Sequence, residues 1–272
     1  MSDAVRVERS GPRGVVARVT IDRPEQRNAL STEVLDGLGA AFASLAAEPA
    51  ETLRVVVLGG EGKAFCAGAD VNWMKAATTM TRADNEVQAD VIGRLFASID
   101  AFPAPVIARV QGPALGGGAG LLCVADVVIA EASAVTGFPE VRLGLAAATI
   151  APYVVRRIGE GWARSLFTTS ERIDAREAQR VGLVQHVVEG IDALDAAVDD
   201  AIAGILAGAP EAVRAAKALV RELALGQAGP VDDYPSAMAR RLADRRGHPE
   251  AAEGLSAFLE RRRPWWAPGE DA

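Results

Sequence analysis

Apolar and polar positions follow two rhythms along the chain, and the switches between them mark its elements. Val15-Val16-Ala17-Arg18-Val19-Thr20-Ile21 is rich in β-branched residues and closes on Asp22-Arg23-Pro24, which predicts a strand and then a turn. Ser31 reads as an N-cap, and Leu35, Leu38, Phe42 and Leu45 recur at helical spacing, so a helix should run to near Pro49. Arg54-Val55-Val56-Val57-Leu58 before Gly59-Gly60 is a continuous apolar run, the pattern of a strand covered on both faces. Val91, Leu95 and Ile99 repeat the helical spacing ahead of two further strands, 106–110 and 127–130.

Strand and helix alternate, so the predicted class is α/β. Helical character continues through 163–169, 175–181 and 192–206, and 184–188 is strand-like. Beyond Pro210 no strand pattern remains; 211–263 reads as helix broken at 226–234 and 247–249. A boundary near 208–210 divides an expected body, 1–208, from a helical region, 209–272. Such helices need the body or a neighbouring subunit to bury their apolar sides, so a homo-oligomer is expected.

Composition narrows the partners. The 272 residues carry 29 basic and 36 acidic side chains, a net charge of −7, which argues against a nucleic-acid partner. Cys66 and Cys123 are too few for a disulfide framework, and no cysteine or histidine cluster has metal-ligand spacing, so no metal is expected. The polar start Met1-Ser2-Asp3-Ala4-Val5-Arg6 lacks a signal-peptide core, and no long apolar run suggests a membrane span. The expected setting is cytoplasmic.

The candidate chemistry lies in glycines. Ala114-Leu115-Gly116-Gly117-Gly118-Ala119-Gly120 holds four glycines in seven residues, a turn whose amides can approach a negative charge. Phosphate readings fail: a dinucleotide fingerprint starting at Gly116 needs glycine or alanine where Leu121 stands, and Gly62-Lys63-Ala64 lacks the hydroxyl of a phosphate loop. A second glycine turn, Ala64-Phe65-Cys66-Ala67-Gly68-Ala69-Asp70, follows the apolar strand at 54–58.

These two turns, with Asn28-Ala29-Leu30, Phe138-Pro139-Glu140 and Glu253-Gly254-Leu255-Ser256-Ala257-Phe258, resemble in order and spacing the enoyl-CoA hydratase/isomerase family, the crotonases. The resemblance spans most of the chain. It implies a crotonase (ClpP-like) spiral of β-β-α units with a C-terminal helical oligomerisation region forming homotrimers or homohexamers. The implied substrate is an acyl-CoA, with coenzyme A part of the substrate and no separate cofactor.

The resemblance makes the backbone N–H groups of Ala69 and Gly117 an oxyanion hole for the thioester, because enolate charge on the carbonyl oxygen needs fixed donors. It makes Glu140 the acid/base; the residue-level alternative is a glutamate that caps a turn or pairs with Arg142. It places Arg27, Ala29 and Ala67 along coenzyme A, Gly68, Asp70 and Gly116 beside the substrate, and Arg261 on the nucleotide phosphates of a neighbouring subunit. For Arg261 to Arg263 a solvated helix end is the alternative. Trp265 and Trp266 are expected at a subunit contact, and no nucleophilic role is assigned to Cys66 or to His186 and His248.

Gly120, also carried over to the substrate-contacting set, departs from the pattern. Hydratases of the family place a second glutamate there, whereas isomerases that shift a double bond include one-glutamate members. The segments 69–74, 140–145 and 148–155 resemble the bacterial methylglutaconyl-CoA hydratase branch, in which glycine at this position is tolerated; Ala146-Ala147 departs from that branch's Ile-Pro. Hydration of a 2-enoyl-CoA, branched or carboxylated, is therefore the first expectation. A Δ3,Δ2-enoyl-CoA isomerase and a catalytically silent acyl-CoA-binding protein are the alternatives.

Overall fold

The computed structural model describes residues 4–267; Met1 to Asp3 of the polar start and the last five residues of the helical tract lie outside it. Nine strands occur among the described residues: β1 (Val5–Ser10), β2 (Val16–Ile21), β3 (Val55–Gly60), β4 (Val106–Val110), β5 (Ala114–Leu115), β6 (Val127–Glu131), β7 (Val135–Gly137), β8 (Arg172–Asp174) and β9 (His186–Val188). The main sheet has the order β1-β2-β3-β4-β6-β9, and a small one has the order β5-β7-β8. Every pairing from β2 to β9 in the main sheet is parallel; β1 alone is antiparallel, with Val5 opposite Ile21.

Among the same residues, ten α-helices connect and cover the strands: α1 (Thr32–Ala46), α2 (Val71–Ala77), α3 (Arg82–Asp100), α4 (Gly117–Val124), α5 (Ala151–Thr169), α6 (Ala175–Arg180), α7 (Ile191–Ala207), α8 (Pro210–Ala224), α9 (Tyr234–Arg246) and α10 (Pro249–Leu259). The class is α/β. Both faces of the parallel sheet are buried, which is why β3 reads as unbroken apolar sequence. Val55 and Val57 join Ile107 and Ile129 under Leu194, Val198 and Ile202 of α7. Val56 and Leu58 face the larger core with Leu38 and Phe42 of α1, Phe96 and Ile99 of α3 and Leu121 of α4. Phe42 and Phe102 meet edge to face at 5.2 Å there, the preferred geometry of two ring quadrupoles.

β1, the three strands of the small sheet and α5 differ from the sequence reading. β1 is an added strand; its alternation is carried by only two valines against charged neighbours, too little to stand out. The strands of the small sheet are two or three residues long and leave no periodicity. α5 begins at Ala151, well before the expected 163, because a break at Gly159 (φ 76°) interrupts one buried stripe of Val154, Ile158, Ala163 and Leu166.

The C-terminal helices are tied back to the body by charge. Arg214 of α8 donates to the carbonyls of Glu48 and Leu53, each at 3.1 Å. Lys217 reaches Asp126 at 2.6 Å and Arg221 reaches Asp100 at 2.8 Å, while Arg156 also pairs with Asp100. Glu250 of α10, 4% exposed, accepts from the N–H groups of Glu211 at 2.8 Å and Ala212 at 3.0 Å and from Arg245 at 2.8 Å. One carboxylate thus caps α8 and joins α9 and α10 to it. Trp266 is buried within the chain, donating to the Ala207 carbonyl at 3.2 Å and packing on Gly254, so its contact is internal and only Trp265 keeps an open face.

Candidate active site

β3 and β4 end side by side, and the chain leaves each through a glycine turn at the carboxyl edge of the sheet, where open α/β folds hold ligands. The segment 66–70 lies between two others. On one flank the Cys66 N–H donates to the Pro113 carbonyl at 3.2 Å and the Leu115 N–H to the Cys66 carbonyl at 3.0 Å. On the other, the Ala67 N–H donates to Arg27 at 3.0 Å, the Leu30 N–H to Gly68 at 2.8 Å and the Asp70 N–H to Leu30 at 3.3 Å. Segments 27–30, 66–70 and 113–115 therefore run abreast.

The glycines permit this approach. Gly68 has φ 95°, and a Cβ there would come 2.7 Å from the Leu115 carbonyl oxygen and 3.7 Å from the Gly117 nitrogen. A Cβ at Gly118 would overlap the Cys66 carbonyl. The two turns are thus in direct contact through bare backbone. Among the described residues, neither the Ala69 N–H nor the Gly117 N–H has a hydrogen-bond acceptor, and both residues are half-buried. Gly117 opens α4, so its amide carries the positive end of the helix dipole. Two unspent donors at adjacent turns can stabilise a developing oxyanion.

Glu140 stands beside them. It lies in the short 3-10 turn Pro139–Leu143, and a Cβ at Gly116 (φ 52°) would come 2.9 Å from its Oε1. Its Oε2 is buried and without a partner among the described residues. Burial raises its pKa above the ordinary carboxylate range, opposed by a weaker backbone hydrogen bond. Phe138, edge to face with Phe167 at 5.0 Å, supplies apolar surroundings one residue from Pro139. The alternative pairing with Arg142 is not made: Arg142 donates instead to Ser170, to Oγ at 2.5 Å and to the carbonyl at 3.3 Å.

The other expected residues are distributed unevenly. Arg27 is exposed at φ 52°, with Ala29 and Ala67 half-buried on the paired segments beside it. Asp70 caps α2, its Oδ1 accepting from the Trp73 N–H at 2.9 Å. Gly120 is buried, and a Cβ there would come 2.6 Å from Ile150 Cγ2 and 3.1 Å from Phe96 Cε1. The place where a second carboxylate would begin is filled by packing. Arg261 lies exposed just past α10, and among the described residues no hydrogen bond ties it to the site segments; Arg262 is held by Glu253 at 2.6 Å and Glu260 at 2.7 Å.

Cys66 and Cys123 are buried, which pushes each thiol up to about 12 and leaves no thiolate nucleophile. His186 is exposed on β9 and His248 caps α10. Two buried amides near the turns, Asn28 and Gln111, bond only to backbone groups; Asn28 enters the sequence reading through the resemblance alone, and Gln111 not at all.

A model of the family described as enoyl-CoA hydratase/isomerase matches residues 12–269. A putative enoyl-CoA hydratase of Thermus thermophilus is 37% identical over 254 residues, 93% of this chain and 97% of the relative. Among solved structures, AtuE of Pseudomonas aeruginosa superposes with a TM-score of 0.91 at 36% identity, covering 98% of this chain and 100% of the other. A putative enoyl-CoA hydratase/isomerase (crotonase) of Legionella pneumophila gives 0.88 at 37% identity, covering 97% and 98%.

Proposed function

Because the chain belongs to the enoyl-CoA hydratase/isomerase family and is an enzyme of the crotonase fold, we propose that it adds water to, or removes it from, a branched or carboxylated 2-enoyl-CoA, 3-methylglutaconyl-CoA being the first candidate. In this reading the thioester oxygen takes the free N–H groups of Ala69 and Gly117. Water attacks Cβ, Glu140 accepts its proton, and the enolate charge falls on the oxyanion donors. Glu140 then returns the proton to Cα, so a single carboxylate closes the cycle.

The observation that carries the reading is the unpartnered, buried Oε2 of Glu140 next to the two unspent amides. Turnover of 3-methylglutaconyl-CoA should fall at least about 100-fold in Glu140→Ala. Undiminished turnover would remove Glu140 from the chemistry. A second reading, Δ3,Δ2-isomerisation, is favoured by the packing of Ile150 and Phe96 over Gly120, which leaves one base for a proton shuttle. Faster turnover of a 3-enoyl-CoA than of any 2-enoyl-CoA would establish it.

The same proposal retains the division at 208 and a cytoplasmic setting, and invokes no cofactor beyond the coenzyme A of the substrate. No helix among the described residues is long and apolar enough to cross a membrane. Phe258 and Leu259, 80% and 78% exposed on α10, and Trp265 are proposed to meet neighbouring copies in a homotrimer or homohexamer, which would bring Arg261 to coenzyme A phosphates. A monomeric mass in light scattering would refute that assembly.

A further inference from the structure

Two buried side-chain amides that the scheme above leaves unused converge on one carbonyl. Asn28 has no exposed surface and lies on the segment whose backbone pairs with 67–70. Its Oδ1 accepts from the Arg23 N–H at 2.9 Å, and its Nδ2 donates to the carbonyls of Glu61 at 2.9 Å and Ala64 at 2.7 Å. Gln111, 9% exposed, follows β4 on the opposite flank. Its Nε2 shares two N–H groups among the carbonyls of Gly60 at 2.5 Å, Gly62 at 3.2 Å and Ala64 at 2.9 Å. Both lone pairs of the Ala64 oxygen are therefore filled, one from each flank.

The loop so held has little room to move. A Cβ at Gly60 would come 2.6 Å from Asn28 Nδ2 and 2.9 Å from the Ala64 oxygen, so backbone and amides are in close contact. Beyond the loop, the chain to Ala69 joins no extended ladder: it is held by the isolated bridges of Cys66 with Ala114 and Leu30 with Ala69 and by the Ala67 N–H bond to the Arg27 carbonyl. Single bridges fix a strand's direction weakly compared with a ladder. The two side-chain amides supply the missing anchorage at its entry, and an unmade bond to a buried carbonyl would be costly.

Resting on the reading of the Ala69 N–H as an oxyanion donor, we propose that Asn28 and Gln111 are positioning residues that hold the 60–64 loop and thereby aim that donor. The probe is 2,4-hexadienoyl-CoA, whose conjugated absorption moves to longer wavelength when donors at the thioester oxygen draw charge along the chain. The native protein should produce this red shift. Asn28→Asp keeps size but loses both donors and faces two carbonyls; Gln111→Ala removes the second amide.

Each variant should lose at least half of the red shift, with kcat down about 10-fold or more and KM changed by less than about twofold. Circular dichroism verifies the fold; where Asn28→Asp does not fold, Gln111→Ala carries the test. Folded variants that keep the native red shift and kcat overturn the positioning role, and so does loss of the fold in both. No red shift in the native protein overturns the donor assignment itself, and this proposal with it.

Discussion

The glycine turns and the helices α8–α10 are attached to the same sheet by opposite means. The turns are held by backbone on backbone, with side chains excluded: Gly68 and Gly118 leave no room for a Cβ. The helices are held by side chains, through Arg214, Lys217, Arg221 and the Glu250 cap, with almost no apolar residue fully buried on α8 or α9. The site thus tolerates no added atom, whereas the helices tolerate change except at a few charged anchors. A site that works through main-chain amides has its specificity in what is missing from its residues.

The sharpest way to break this comparison is to add one methyl group to each region. Gly118→Ala should cost about 3 kcal/mol or more, since the new Cβ meets backbone that cannot swing aside, and should abolish turnover. Gly226→Ala, at φ 65° with open space around it, should cost only about 1 kcal/mol of backbone strain. Urea unfolding of the two variants measures the contrast, and equal losses would erase it.

A somewhat smaller effect tests the anchors. Glu250→Ala strands two helix N–H groups and Arg245, and should destabilise by about 3 kcal/mol. Because the cap serves only α8–α10, melting should separate into an early helical step and a later step of the body. A single transition at the native temperature would show that the helices do not depend on it.

The smallest expected effect is electrostatic. Burial raises the pKa of Glu140, so its contribution to stability is present when the carboxyl is protonated and is lost as pH rises through the folded value. Glu140→Gln should therefore melt slightly above the native protein at about pH 7 and level with it at about pH 3. A gap of the same size at both pH values would mean that ionisation is not its source.

Legibility followed the range of each interaction. β2, β3, β4, β6, α1 and α7 were readable because burial on a sheet or helix face imposes a period on the sequence. β1 and the small sheet were not, since edge pairing and strands of two or three residues impose none. In the site, Gly68, Gly116 and Gly117 could be singled out because glycine runs are rare and chemically suggestive. The removal of Arg142 to Ser170, the filling of the Gly120 space by Ile150, and the convergence of Asn28 and Gln111 on Ala64 join residues far apart in the chain. Local pattern carries no trace of such contacts.

The antiparallel strand β1 bears on solubility. An exposed parallel edge at β2 would offer free N–H and carbonyl groups to any passing strand, the first step towards aggregation. β1 covers it and presents Arg6, Glu8 and Arg9, with Arg6 bonded to Glu61 and Arg9 to Glu48, while the opposite edge is the three-residue β9. With one border charged and the other short, the main sheet is a poor template for fibre growth.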